Sequence, residues 1–207
     1  MKLIDIQHNY DAVFSLGDRC LVSDRLLHYN LRTYTGIIDW MLSPNLLQVI
    51  SLLQNRLRGF MNKEQMIWDG YDTFGHCLLL KDIIYNITSV HDFFINENTI
   101  TDWNTYPTFK IKLNRRIERF LSKLETCHNI LFIRIGGTYK EAKLLEAVLS
   151  EMVQGEFRVL LINEIAEYKL VEYDWDLPYT CSIGMPLTKD EQLWDSVLKG
   201  ITYSDKQ

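Results

Sequence analysis

The feature that most constrains the fold is an alternation of helical and strand patterns in the second half of the chain. Residues 109–126 carry apolar side chains at helical spacing, and residues 130–135 form a nearly continuous apolar run. A second pair follows, with helical periodicity over 139–153 and an apolar run over 157–162. Amphipathic helices that alternate with apolar strands predict a parallel sheet covered by helices on both faces.

Residues 12–20 extend this pattern towards the N-terminus. Residues 12–16 are a short apolar run suited to a buried strand, Gly17 interrupts it, and Asp18 is a good N-cap for a helix over 19–30. We therefore predict a single α/β domain over residues 1–207, in which one mainly parallel sheet is flanked by helices.

The remaining segments carry weaker patterns. Ser43 and Pro44 predict the N-cap and first residue of a helix that ends near Arg58. A last helix over 188–199 is predicted to be capped by Thr188. Short strands are predicted at 76–80, 83–90, 167–173 and 179–184.

Cys20 lies just after the first predicted strand, in the first turn of the first predicted helix. A thiol in the first turn of a helix feels the positive end of the helix dipole, which favours the thiolate. Backbone N–H groups of the same turn can hold an oxyanion, so Gly17 and Asp18 mark a candidate position for a substrate's carbonyl oxygen. Cys20 is thus a candidate nucleophile. The alternative is a buried cysteine that only fills space, as most cysteines do.

Composition and charge exclude several classes of protein. The formal net charge of -5 gives no support to nucleic-acid binding. No apolar run approaches the ~20 residues of a membrane helix, and the N-terminus lacks the apolar core of a signal peptide. The four cysteines are scattered singly, as in proteins of a reducing compartment. We expect a cytoplasmic protein without membrane or nucleic-acid partners, and its oligomeric state stays open.

Metal and cofactor motifs are absent from the sequence. The His–Cys and Cys–His neighbours at 76–77 and 127–128 lack the spacing of a zinc site. The run of small residues at 136–138 matches no nucleotide-binding pattern. We therefore predict no metal and no cofactor. A basic face over 110–123 is interpreted as a solvated helix face, because Glu118 interrupts it.

Several short motifs, taken in order, resemble those of a known family. They are SLGDRC at 15–20, IDW at 38–40, HDF at 91–93, NRRIERF at 114–120 and LFIR at 131–134. Together they resemble an uncharacterised bacterial family described as putative papain-like cysteine peptidases, over most of the chain. The resemblance implies Cys20 as the nucleophile and His91 as its base. It also implies a papain-like α+β fold as the alternative to the parallel arrangement.

A Cys–His pair can perform acyl chemistry, because the imidazole takes the thiol proton and later protonates the leaving group. The alternative is a structural cysteine and an unrelated histidine at a strand end. Asp39 is our candidate for a third residue that orients the imidazole, since a carboxylate inside the apolar run 37–42 is costly to bury without a partner. A turn carboxylate bonded to backbone N–H groups is the alternative for Asp39.

Arg134 lies near the end of the strongest predicted strand, where ligands of parallel sheets gather. It is a candidate for binding an anionic substrate group, with a salt bridge as the alternative.

The candidate residues support two alternative functions. The first is a thiol hydrolase or acyltransferase that acts on an amide or acyl substrate, either a small molecule or peptide-like. The second is a non-enzymatic module that binds an anionic small molecule or sugar conjugate through Arg134.

Overall fold

The computed structural model of the chain describes residues 1–204, in which eleven strands and five α-helices follow one another. The helices are α1 (Leu21–His28), α2 (Leu46–Gln54), α3 (Tyr106–Thr126), α4 (Tyr139–Met152) and α5 (Glu191–Leu198). The strands are β1 (Asn9–Tyr10), β2 (Ala12–Ser15), β3 (Met41–Leu42), β4 (Met66–Tyr71), β5 (Leu78–Asp82), β6 (Ile87–Ser89), β7 (Asn129–Ile135), β8 (Glu156–Glu164), β9 (Val171–Glu172), β10 (Thr180–Met185) and β11 (Thr202–Tyr203). Short 3-10 helices occur at Leu3–Ile6 and Lys63–Gln65.

The largest sheet has five strands in the order β2-β7-β8-β10-β9. The first four run parallel to one another, and β9 is antiparallel to β10. The middle of β7 and of β8 is apolar because side chains on both faces of the sheet are buried there. Ile130 and Phe132 face one core cluster, whereas Leu131 and Ile133 face the other. The parallel pairing predicted for the segments around 12–16, 130–135 and 157–162 is confirmed.

The prediction of one mainly parallel sheet is wrong for the middle of the chain. Strands β3, β6, β5 and β4 form a separate four-stranded antiparallel sheet, and β1 pairs with β11 in a third, two-stranded sheet. The protein is therefore a mixed α/β structure with several sheets. Strands of two or three residues are too short for a readable period. A tight turn also joins β5 to β6, in which the Asp82 carboxylate accepts the N–H groups of Ile84 and Tyr85.

Helices cover both faces of the five-stranded sheet. Helices α1 and α5 pack on one face, where Val22, Leu26 and Trp194 are buried. Helices α2, α3 and α4 pack on the other face, and the antiparallel sheet shares that core through residues such as Leu80 and Ile87. The five-stranded and four-stranded sheets thus contribute to the same core cluster. None of the helices within residues 1–204 has the length and apolar character needed to cross a bilayer.

Four predicted helix starts are wrong by two residues or more. Helix α1 is capped by Cys20 instead of Asp18, and α3 begins at Tyr106 instead of residue 109. The other two are α2 and α5. Helix α2 is capped by Asn45, whose side chain accepts the N–H of Leu47, instead of by Ser43. Helix α5 is capped by Asp190, which accepts the N–H of Leu193, instead of by Thr188. In both places several capping residues lie close together, and the choice among them is made by tertiary contacts.

Candidate active site

The turn that carries Cys20 lies at the carboxyl end of β2. The pairing with β7 continues past the end of β2. Leu16 donates its N–H to the carbonyl of Ile133 at 2.8 Å, and the carbonyl of Gly17 accepts the N–H of Ile135 at 2.9 Å. The backbone then turns through positive φ at Gly17 (77°) and at Arg19 (71°). Cys20 is the N-cap residue of α1, with helical φ and ψ, and it is partly exposed. The predicted strand–turn–helix junction is confirmed.

His91 reaches the same place from the antiparallel sheet. It lies in the bend that follows β6, is exposed, and faces the thiol. The distance between Cys20 Sγ and His91 Nε2 is 3.8 Å. The Trp40 ring lies edge-on to the imidazole, with 6.3 Å between ring centroids and 76° between ring planes. The structure therefore brings together two side chains that are 71 positions apart in the sequence.

The surroundings of Cys20 favour the protonated thiol. Burial raises the pKa of Cys20, and the carboxylates of Asp39, Asp18 and Asp24 raise it further. The prediction that the helix start favours the thiolate form of Cys20 is therefore wrong. Desolvation and the nearby carboxylates both disfavour a negative charge on the sulfur. A base has to remove the proton, and the imidazole of His91 is in position to do so.

Asp39 is fully buried, and its carboxylate contacts residues other than His91. Its Oδ2 atom contacts Arg32 Nη1 and accepts the N–H of Gly36. Within residues 1–204 no hydrogen bond joins Asp39 to His91. The contact with Gly36 matches the alternative predicted for Asp39, which is a turn carboxylate bonded to backbone N–H groups. The backbone carbonyl of Asp39 also accepts the hydroxyl of Ser23 on α1 at 2.9 Å, so this segment is tied to the helix that carries Cys20.

Arg134 is 1% exposed, and its guanidinium binds protein atoms. It donates to the carbonyl of Leu16 at 2.8 Å, to Ser43 Oγ at 2.8 Å and to the carbonyl of Ser43 at 2.7 Å. Burial lowers the pKa of Arg134 to about 10, so the side chain remains charged at neutral pH. The Asp18 carboxylate accepts the N–H of Ser43 at 2.8 Å. Arg134 and Asp18 thus join the Cys20 turn to the segment that follows β3.

Gly17 has no room for a side chain. A Cβ atom there would collide with the Ser43 hydroxyl and lie 3.0 Å from Arg134 Nη1, in addition to the cost of a positive φ. Gly75 has a similar φ of 70° but nothing within 4 Å, which makes it a matched control. We expect Gly17→Ala to lower the free energy of unfolding by about 3 kcal/mol, and Gly75→Ala by about 1 kcal/mol. Urea denaturation measures both, and equal losses would show that the collision at Gly17 is relieved at no cost.

The backbone amides just before Cys20 are available as donors. Gly17 donates its N–H to Ser15 Oγ at 3.2 Å, so that group is engaged. For Asp18, Arg19 and Cys20, the hydrogen bonds found among residues 1–204 include none from the backbone N–H.

A cavity of about 260 Å³ lies beside the imidazole. It is formed between the bend after β6 and the start of α3, and both acidic and basic side chains line it. Its lining residues are His91, Asp92, Phe94, Glu97, Thr105, Thr108, Phe109 and Lys112. Within residues 1–204 no cluster of three or more histidine, cysteine, aspartate or glutamate side chains is arranged to hold a metal ion.

Residues 11–166 match a family model described as "Putative papain-like cysteine peptidase (DUF1796)". The chain belongs to this family. The matched segment includes Cys20, Asp39, His91 and Arg134, whereas β9, β10, α5 and β11 lie beyond it. A search of the curated proteins and a search of the solved structures found no match.

Three residues that shape the site were not among the candidates from the sequence. Arg32 supplies the buried partner of Asp39, Ser43 binds Arg134, and Trp40 packs against His91. A carboxylate inside an apolar run requires a cation, which is the one signal that pointed towards an arginine such as Arg32. Ser43 carried a competing signal, because a serine before a proline also predicts a helix start.

Proposed function

We propose that the protein is a cysteine peptidase or acyltransferase in which Cys20 is the nucleophile and His91 is the general base. The observation that carries the proposal is the 3.8 Å separation of Cys20 Sγ and His91 Nε2 at a solvent-accessible surface. Membership of a family described as papain-like cysteine peptidases supports the same reading.

The reaction proceeds in two halves. The imidazole of His91 takes the thiol proton while the sulfur attacks the carbonyl carbon of an amide or other acyl substrate. The imidazolium then protonates the leaving amine, the carbon–nitrogen bond breaks, and the acyl group stays on sulfur as a thioester. In the second half, His91 takes a proton from water or from another nucleophile, which attacks the thioester carbon. The carbon–sulfur bond then breaks, and the imidazolium returns the proton to sulfur and restores the thiol. Water gives hydrolysis, and an amine or sugar hydroxyl gives acyl transfer.

The turn before Cys20 supplies groups for the charge that develops on the carbonyl oxygen. The N–H groups of Asp18, Arg19 and Cys20 are the donors that we assign to this oxyanion. We assign Asp18 and Arg134 to holding the turn, because both bind Ser43. The cavity beside His91 is the proposed position of the substrate's flanking groups, and its mixed charge suits a peptide-like molecule.

We assign Asp39 a positioning role. Its carboxylate is held by Arg32 and Gly36, and its backbone carbonyl binds Ser23 on the same helix as Cys20. Asp39 is also, after burial, the largest cause of the raised pKa of the thiol. It therefore acts on Cys20 through helix placement and through its charge.

Alkylation of Cys20 across pH tests the pair without requiring a substrate. We expect the rate with iodoacetamide to rise with pH, with a midpoint above that of a free thiol, because burial and three carboxylates raise the pKa of Cys20. The reactive fraction is therefore small at neutral pH and grows as the pH passes the raised pKa. Peptide-resolved mass spectrometry separates Cys20 from the three buried cysteines.

The proposed pair also predicts that the rate of Cys20 alkylation depends on His91. A His91→Ala variant is expected to slow the alkylation of Cys20 at neutral pH, because the thiol loses its base. A midpoint below that of a free thiol would contradict the raised pKa. A rate that is the same with and without the imidazole would contradict the proposed pair.

A further inference from the structure

Helix α3 presents a group of cations to a second cavity, which lies apart from the one beside His91. This cavity has a volume of about 580 Å³ and is closed on one side by the loop between α1 and β3. Arg115, Arg116, Arg119 and Lys123 line it from the helix. Residues 115, 116 and 119 lie on one face, since positions three and four apart are neighbours on a helix.

In the part of the chain that the structure describes, the three arginines are not paired with acidic side chains. Within residues 1–204 no carboxylate forms an ion pair with Arg115, Arg116 or Arg119, whereas Arg32 and Arg56 each have one. Like charges four residues apart on a helix, such as those of Arg115 and Arg119, repel each other weakly. An anion in the cavity removes the repulsion.

An aromatic ring holds part of the cluster in place. The Arg119 guanidinium lies 5.3 Å from the centroid of the Tyr34 ring, and Lys123 Nζ lies 5.4 Å from it. Tyr34 is itself fixed by the Phe14 ring, at a centroid distance of 5.6 Å. Thr33 and Thr35 flank Tyr34 and add hydroxyl groups to the lining. The cavity is therefore lined by cations, of which Arg119 and Lys123 contact an aromatic ring, and by residues with hydroxyl groups, and both kinds of group bind phosphate oxygens.

We propose that this cavity binds a small phosphate-bearing anion through Arg115, Arg116 and Arg119. Planar guanidinium groups match the geometry of phosphate and bind it with two hydrogen bonds at once. The volume is that of a small-molecule site. The net charge of -5 disfavours a long polyanion, which would approach the acidic remainder of the surface. The site does not depend on the chemistry assigned to Cys20.

Isothermal titration with inorganic pyrophosphate at low ionic strength tests the proposal. We expect saturable binding by the full chain, and at least a roughly tenfold weaker affinity in Arg115→Gln/Arg116→Gln. The matched control is Lys140→Gln/Lys143→Gln, which removes the same charge from exposed positions on α4 and should bind like the wild type. A Cys20→Ala variant should also bind like the wild type, which separates this site from the proposed reaction.

Three results would overturn the proposal. The first is the absence of saturable pyrophosphate binding by the wild type. The second is an equal loss of affinity in both double variants, which would indicate a bulk charge effect. The third is binding to duplex DNA or to anionic lipid vesicles without binding to pyrophosphate. If circular dichroism shows that the double variant is unfolded, the single variant Arg115→Gln, at an exposed position, replaces it with the same expected direction.

Discussion

Replacing Cys20 with alanine is expected to abolish formation of a covalent acyl intermediate, and replacing His91 with alanine is expected to slow it by about 10²–10⁴-fold. The magnitude is that of a positioned general base. The thiol has a raised pKa, so without the imidazole few molecules carry a thiolate at neutral pH. Mixing the protein with p-nitrophenyl acetate gives a burst of nitrophenol, and mass spectrometry locates the acetyl group.

Two matched variants serve as controls for this experiment. His76→Ala removes another exposed histidine, one that lies just before β5, and Cys77→Ala removes a buried thiol. Both should retain the burst if they fold. Acetylation of Cys20 that is no faster than that of a free thiol peptide would contradict the proposed chemistry, as would a burst unaffected by His91→Ala. Adding an amine acceptor then distinguishes hydrolysis from acyl transfer, since only a transferase forms the new amide in preference to acetate.

An Asp39→Asn variant is expected to lose about 3–5 kcal/mol of unfolding free energy, measured by urea denaturation. The side chains of Asp39 and Arg32 are 0% and 1% exposed, so the substitution leaves a buried guanidinium without its counter-charge. Asparagine keeps the size of the side chain and an oxygen for the Gly36 N–H, which isolates the charge. The control is Glu125→Gln in the surface pair with Arg56, which should cost no more than about 1 kcal/mol.

The same variant has a second readout that a purely structural role would not affect. Because Asp39 raises the pKa of the Cys20 thiol, Asp39→Asn should move the midpoint of Cys20 alkylation to lower pH. Arg32→Met/Asp39→Leu removes both charges and should recover part of the stability lost in Asp39→Asn. A loss no larger than that of Glu125→Gln would show that Arg32 reaches water or another partner when Asp39 is neutral.

Local pattern was sufficient for the half of the site that is built from consecutive residues. Residues 12–29 contain an apolar run, a glycine and a helical repeat in order, and each of these acts over a few positions. The structure accordingly has β2, a turn at Gly17 and α1 in that order, with Cys20 at the start of the helix. The parallel pairing of β2, β7 and β8 follows from the same kind of signal.

The other half of the site depends on packing between sheets, which cannot be predicted from patterns of neighbouring residues in the sequence. His91 stands after the three-residue strand β6, and its distance from Cys20 is set by how the antiparallel sheet packs against the shared core. The partners of Arg134 and Asp39 are likewise chosen in three dimensions. Arg134 stands at the end of a strand, as a ligand-binding residue would, yet its hydrogen bonds go to Leu16 and Ser43.

The division of Cys20 and His91 between two sheets bears on when the protein becomes reactive. During synthesis the sulfur leaves the ribosome well before the imidazole does, and the nascent chain then holds a thiol with no base beside it. A partly unfolded molecule is in the same condition, because loss of the antiparallel sheet alone removes the ring. On the proposed mechanism, a chain that has not finished folding carries an ordinary thiol without its base, and the acyl chemistry of the pair begins only when both sheets have formed.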